Sequence, residues 1–290
     1  MKIGALIVLY QPDREMIGKV IDCLLQQVDK ICVVDNSDHD NSTLIPATDD
    51  KIQYIFMNGN KGIAAAQNRA IDYFINQSFD YIISCDQDTI IDNTTISKLS
   101  QTMLDLQQAG IKVAAVAPIG IDYYTHQPLS YKIETIGKQQ IAGHELLEVT
   151  HTMNSMSLIP IHILKEVGGM EEELFIDAVD CEWGWRAKER IGARSFCDTK
   201  IHMNHALGIG TKQIAGAYRI HITPASRMYY QYRNYLWLLR RQYTPWKWIY
   251  INGFKYIVKV FFYTIKGPNR RSYLVQIMRG IRDGIRGKQK

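Results

Sequence analysis

Uninterrupted apolar runs, paired cysteines and acidic residues toward the C-terminus are scarce in this sequence of 290 residues. The apolar stretch 249–265 is broken by Lys255 and Lys259. It therefore falls short of the ~18–20 consecutive apolar residues that a membrane-spanning helix needs. Met1-Lys2 runs into a short apolar strand with no long leader or cleavage site, so no signal peptide is expected. The five cysteines are odd in number, lack Cys-x-x-Cys spacing and have apolar flanks. They read as reduced core residues of a cytoplasmic protein, with neither a disulfide frame nor a metal cluster. Residues 218–290 hold one acid, Asp283, against 16 Lys and Arg, whereas residues 1–217 hold 28 acids against 18 basic residues. The net charge of +5 hides this split. An acidic part suits a metal ion, and a basic part suits an anionic partner. Hydrophobic residues at 46% and charged residues at 22% exclude disorder, and the chain is long enough for a large core.

Strand and helix signals alternate through residue 118. Strands are expected at 3–10, 30–34, 52–57, 81–85 and 112–118, and helices at 15–28, 62–76 and 97–109. Such alternation implies a mostly parallel, doubly wound sheet with right-handed crossovers. Beyond it, residues 119–150 read as a short β excursion and 151–159 as a strand. A helical turn at 161–167, an amphipathic helix at 180–191 and a short strand at 194–197 follow. From residue 226 the chain is dense in Tyr, Trp, Arg and Lys. A basic, aromatic, amphipathic helix suits a membrane surface, with Trp and Tyr at headgroup level. The alternative is a helical appendage that packs these aromatics on the catalytic domain. Nucleic acid is disfavoured, because no recognised motif accompanies the charge.

The run Tyr81-Ile82-Ile83-Ser84-Cys85-Asp86-Gln87-Asp88-Thr89 is an apolar strand ending in two carboxylates one residue apart. Strand alternation projects Asp86 and Asp88 to one side while the pleat lasts. In open α/β sheets ligands bind beyond the carboxyl ends of the strands. Two acids there repel unless a cation lies between them, and a divalent ion bridging to phosphate oxygens fills that role. Taken alone, Asp88 is more simply a helix cap. Asp35, in Val33-Val34-Asp35-Asn36-Ser37, suits the N3–H of uracil or thymine, a ribose hydroxyl, or merely a turn. Asn60-Lys61-Gly62 opens an alanine-rich helix. Gly62 permits close backbone approach, and the helix N-terminus with Lys61 suits a diphosphate. This segment is neither a P-loop nor a Gly-x-Gly-x-x-Gly fingerprint. In Phe175-Ile176-Asp177-Ala178-Val179-Asp180-Cys181-Glu182-Trp183, Asp180 is either an N-cap or a general base, with Glu182 or Trp183 holding an acceptor. His202 and His205 offer imidazoles, one of them a candidate third metal ligand.

In this order the segments resemble family 2 glycosyltransferases of the GT-A fold over roughly residues 1–240, and more narrowly bacterial rhamnosyltransferases of polysaccharide assembly such as O-antigen. Val34-Asp35-Asn36-Ser37, Asn60-Lys61-Gly62-Ile63-Ala64, Cys85-Asp86-Gln87-Asp88, Phe175-Ile176-Asp177 with Asp180-x-Glu182-Trp183, His205-x-Leu207-Gly208 and Tyr229-Tyr230-x-x-Arg233-Asn234 carry the likeness. The resemblance implies a Rossmann-like α/β domain over 1–225 and a basic aromatic helical region over 226–290. It implies that Asp35 reads the base, and that Asp86 and Asp88, with His205, hold Mg²⁺ or Mn²⁺ on the donor diphosphate. Asn60, Lys61 and Gly62 fall in the nucleotide-sugar site, and Arg233 touches donor or lipid phosphate. Asp180 falls where the family places its base, but relatives often carry two consecutive acids there and this chain has Val179 first, so Asp177 and Glu182 stand as alternatives. The Gln-x-x-Arg-Trp signature of processive synthases is missing. The implied reaction is inverting transfer from dTDP-β-L-rhamnose, or alternatively a UDP-hexose or UDP-galactofuranose, to a polyprenyl-diphosphate-linked oligosaccharide. The implied location is the cytoplasmic face of the bacterial inner membrane, with oligomers allowed. A phosphohydrolase, a nucleotidyltransferase and a non-catalytic scaffold are the remaining rivals.

Overall fold

The computed structural model describes residues 1–46, 49–122, 127–129, 134–205, 211–215, 218–221, 224–265 and 269–287; for 205, 211–215 and 218–221 the backbone alone is described. These residues divide into two compact units, Met1–Phe175 with Val179–His205, and Ile176–Ala178 with Ala206–Lys290. The boundary expected from the sequence lies later, after residue 225.

The first unit begins with β1 (Ile3–Leu9), α1 (Arg14–Leu25), β2 (Lys30–Asp35), β3 (Ile52–Phe56), α2 (Ile63–Asn76), β4 (Tyr81–Asp86), α3 (Thr95–Gln108) and β5 (Val113–Asp122). It continues with β6 (Thr135–Ile141), β7 (His144–Val149), β8 (Leu158–Pro160), α4 (Ile161–Val167), α5 (Val179–Ile191) and β9 (Arg194–His205). Among the described residues the sheet order is β3-β2-β1-β4-β8-β5-β9-β7-β6. Parallel pairing joins β3, β2, β1 and β4, and also β5 with β9. The short β8 runs antiparallel between β4 and β5, and β6 and β7 form an antiparallel margin.

The central strands are apolar on both faces because helices cover both. On one face Ala5, Ile7 and Leu9 of β1 pack with Ile17, Val20 and Ile21 of α1 and Leu99 and Met103 of α3. Leu6, one residue out of phase, joins the opposite cluster with Phe74 of α2, Leu164 of α4 and Trp183 of α5. Helix α1 starts at an ordinary cap, Asp13, whose Oδ1 accepts from the Met16 N–H at 2.9 Å.

Two expectations change. Residues 151–157 are not strand; pairing begins only at Leu158. The polar side chains of Asn154, Ser155 and Ser157 turn this segment into a loop laid along β4, bonded through Met156 N–H to Ser84 O at 2.7 Å. Strand β9 is longer than the four residues expected, with 12, because β5 and β7 pair with it from opposite sides. A register shift after Asp198 carries it on to His205.

The second unit contains β10 (Thr211–Ala215), β11 (Tyr218–His221), α6 (Ala225–Leu238), α7 (Trp246–Ile265) and α8 (Arg270–Arg286). Met228, Tyr232, Tyr263, Tyr273 and Ile277 form its core, with the Tyr263 and Tyr273 rings stacked at 4.4 Å. Part of the aromatic content is thus internal. The rest is not: Trp246, Tyr250, Phe254, Ile257, Phe261 and Ile265 of α7 are each 57–72% exposed and recur every three or four residues. Among the described residues no helix is long and apolar enough to cross a membrane.

Candidate active site

Asp86 is the last residue of β4, and the pleat ends with it. Asp88 follows in a turn closed by the Thr89 N–H to Asp86 O bond of 3.2 Å. The turn, rather than strand alternation, therefore sets the relation of the two acids. It is clamped from both flanks. Gln87 exchanges two hydrogen bonds with the Tyr10 backbone at the end of β1, at 2.9 and 3.1 Å. Ser155 accepts from the Asp86 N–H at 3.3 Å and bonds the Thr89 hydroxyl at 2.8 Å. Asn154 Nδ2 donates to Asp86 Oδ1 at 2.8 Å, and its own Oδ1 accepts from Gln67 of α2. Asp88 stays exposed. Two carboxylates on a rigid turn at a strand's carboxyl end are a hard, all-oxygen donor set that fits Mg²⁺ or Mn²⁺.

Asp35, at the end of β2, is fully buried. Its Oδ1 accepts from the Ser37 N–H at 3.0 Å, and its Oδ2 accepts from the Asn41 N–H, Asn41 Nδ2 and Tyr54 Oη at 2.9, 3.0 and 2.6 Å. Burial pushes this carboxyl's pKa up, but the bonds from Tyr54, Ser37 and Asn41 outweigh it and leave the pKa below the usual value. A base-reading role requires a nucleotide to displace or share one of these donors.

Asn60 Oδ1 accepts from Asn36 Nδ2 and from the Gly62 N–H, each at 3.0 Å, while Asn36 Oδ1 accepts from the Lys61 N–H at 2.7 Å. The amides of Asn36 and Asn60 thus shape the loop before α2 and leave the Lys61 side chain exposed. Gly62 has φ +90°, and a Cβ there would lie 2.8 Å from Phe175 O. The Ile63 N–H bonds that same carbonyl at 2.7 Å. Phe175 itself has φ 64° and ψ −61°, strain of the kind that gathers at functional sites.

Asp180 lies in the first turn of α5, half-buried, with Oδ1 accepting from the Cys181 N–H at 2.9 Å. It lines a small cavity together with Ser84, Asn154, Met170 and Trp183. Asp180 therefore faces the same space as the asparagine that grips Asp86. The rival acids are committed elsewhere. Glu182 is fully buried and forked onto Arg186 at 2.8 and 3.0 Å, which corrects the acceptor role expected for it. In the second unit Asp177 takes a forked ion pair from Arg227 at 2.8–3.0 Å. Trp183 is 3% exposed and donates its indole N–H to Gly168 O at 2.9 Å, so its contribution is to the cavity wall.

Arg233 is also corrected. Its guanidinium bonds Asn234 Oδ1 at 2.9 and 3.1 Å and lies 4.2 Å from the Trp237 ring and 4.9 Å from the Tyr230 ring. It is a buried group within the helical unit, not one presented to phosphate. The His205 side chain and the following Leu207-Gly208 lie outside the described residues. Sequence reasoning missed Gln87, Asn154 and Ser155. It could have found Glu182's partner, because Arg186 stands four residues on in the same helix.

Comparison with known proteins identifies the family. Residues 5–168 match the family described as glycosyl transferase family 2. The chain is 34% identical over 248 residues to the "dTDP-rhamnosyl transferase RfbF" of Shigella flexneri, covering 84% of this chain and 81% of that one. Among solved structures, S. aureus TarS aligns with a TM-score of 0.56 at 14% identity, over 99% of this chain and 49% of the TarS chain. A TarS 1–349 structure aligns with a TM-score of 0.53 at 13% identity, over 97% of this chain and 81% of that one. The TarS likeness speaks to the fold alone, a GT-A-like mixed α/β sheet followed by helices. With the family match spanning the strand-end acids and the loop before α2, the chain belongs to glycosyl transferase family 2 and is a glycosyltransferase.

Proposed function

We propose that the protein transfers L-rhamnose, with inversion, from dTDP-β-L-rhamnose to a hydroxyl of a lipid-linked oligosaccharide at the inner face of a bacterial membrane. The activity named for the Shigella relative supports this donor. One observation carries the mechanism: Asp180 and Asn154, the residue gripping Asp86, line one cavity. Asp180 takes the proton of the acceptor hydroxyl. The freed oxygen then attacks the anomeric carbon from the face opposite the diphosphate, and dTDP departs. Asp86 and Asp88 would hold Mg²⁺ or Mn²⁺, which when bound neutralises charge on the departing diphosphate. Lys61 and the start of α2 add positive potential on the donor side. Of the three acids near this segment, Asp180 has a second carboxylate oxygen without a hydrogen bond among the described residues, as a base requires.

The exposed stripe of α7 supports the membrane part of the reading. Six large apolar or aromatic side chains on one helix face, in a segment rich in Lys and Arg, match an interfacial helix that lies on anionic lipid.

The test is direct. Asp180→Asn is expected to bind dTDP with Mn²⁺ as the parent does, yet lose transfer by at least about 100-fold, the scale of general-base contributions. Asp88→Ala is expected to lose the Mn²⁺-dependent part of dTDP binding in calorimetry. Unchanged dTDP affinity in Asp88→Ala would count against the metal assignment, and release of UDP rather than dTDP in a donor panel would replace the sugar nucleotide.

A further inference from the structure

The sequence reading placed all five cysteines in the core. Cys181, like Cys23, is only half-buried, and its Sγ lies 3.1 Å from His151 Nε2. One carboxylate oxygen of Asp180 completes a group whose three donor atoms all lie within 4.8 Å of one another. The imidazole is held for this task. Its other nitrogen, Nδ1, is 3.1 Å from Thr150 Oγ1. A proton on Nδ1 donated to that hydroxyl leaves the Nε2 lone pair directed at the thiol, the arrangement that orients metal-binding histidines. The Trp185 ring meets the imidazole edge-on at 5.8 Å. Gly184 lets α5 close onto it, because a Cβ there would lie 2.6 Å from His151 Cβ. Cys181 and Asp180 both occupy the first turn of α5, whose positive end favours thiolate and carboxylate.

We propose that Cys181, His151 and Asp180 form a second cation site, for a borderline-soft divalent ion of the zinc class, whose filling occupies the catalytic carboxylate and reversibly stops transfer. The inference rests on the assignment of Asp180 as base. Sulfur, imidazole nitrogen and one carboxylate oxygen, with a fourth position left to water, are a zinc-type set. The Asp86 and Asp88 oxygens suit the hard ion instead, so ligand chemistry sorts two cations between two sites. On coordination the Cys181 thiol gives its proton to water as the sulfur–metal bond forms, with no change of oxidation state.

Cobalt is the probe. The full chain titrated with Co²⁺ is expected to bind it with a thiolate-to-cobalt absorption in the near ultraviolet. That band should be displaced by Zn²⁺ and absent in Cys181→Ser. Thr150→Val, which touches no proposed ligand atom except through the imidazole, should lower Co²⁺ affinity about 10- to 100-fold. With Mn²⁺ in excess, Zn²⁺ should suppress transfer by the parent, a zinc-selective chelator should restore it, and the ratio of rates with and without Zn²⁺ should approach one in Cys181→Ser. Circular dichroism verifies that each variant is folded. Absence of the band, its persistence in Cys181→Ser, or equal zinc inhibition of both proteins overturns the proposal. Full transfer by Asp180→Asn sinks the base assignment instead, while the cobalt spectrum still judges the ligand set.

Discussion

A buried carboxylate with four donors around it, such as Asp35, is held ionised by its partners rather than by solvent. Its pKa is depressed on folding, so the stability it contributes is present above the unfolded value of about 3.9 and is lost as pH falls through the folded value. Tyr54 supplies the shortest of its bonds, 2.6 Å. Tyr54→Phe is expected to cost about 1.5–3 kcal/mol at neutral pH, the range for bonds to charged groups. The difference should shrink in acid, where Asp35 is protonated, and the acid transition should move to higher pH. Urea unfolding at neutral and acid pH measures this, and equal stability of the two proteins at neutral pH would contradict it. The same scale shows why some residues could be read from the sequence and others not. Asp35, Asp86 and Asp180 sit at the ends or starts of elements whose apolar periodicity announces them. Gln87, Asn154 and His151 act on partners far away in the chain, such as Asn154 on Asp86 at a separation of 68 residues, and no local pattern encodes that.

Elements impose their own demands. The loop before α2 must pass beside Phe175, and only a residue without Cβ fits at Gly62. Gly62→Ala places a side chain at positive φ against backbone, so it is expected to destabilise by more than ~1 kcal/mol and to weaken nucleotide binding by shifting Lys61. Thermal unfolding and dTDP calorimetry report the two effects. In the helical unit, Lys259 of α7 is pushed down to about 8, first by burial, with Arg227 and Lys255 adding to the fall and Asp177 opposing it. Its ammonium donates to Gln231 Oε1 at 2.9 Å. A lysine lowered on folding is protonated in both states below that value and carries its full penalty there. Above it the folded chain sheds the proton first, so stability should rise from about pH 8 toward the ordinary lysine value of 10.5. Lys259→Met is expected to be at least as stable at pH 7 and to lose that rise. A parent whose stability is flat across the window would contradict the assignment. Element boundaries were legible where apolar periodicity was strong, as in β1, β2 and β4. They were not at 151–157, where polar side chains bonded to the backbone replace pairing.

The whole molecule is divided by charge. The C-terminal stretch carries nearly all its formal charge as Lys and Arg, and α7 displays its apolar stripe there. On the membrane reading, binding should need both terms. Phe254→Glu with Phe261→Glu is expected to cut recovery on anionic vesicles by at least about tenfold, since each Glu removes apolar burial and adds repulsion. Turnover on a soluble acceptor should be retained. Raised salt should weaken binding of the parent. Sedimentation with vesicles of mixed neutral and anionic lipid checks this, and an unchanged bound fraction for the double variant would remove α7 from the interface.

Residue order alone determined the alternation of strands and helices, the acids at the strand ends and the basic, aromatic tail, because each of these is a local or compositional property. Tertiary structure alone decided which charges are available. Arg233 and Glu182 carry formal charges in any reading of the sequence, yet packing buries both against specific partners. Cys181 looks like any other core cysteine until the fold sets His151 beside it and its neighbour Asp180. Desolvation and long-range pairing depend on what surrounds a side chain in space, and a linear chain does not hold that information locally.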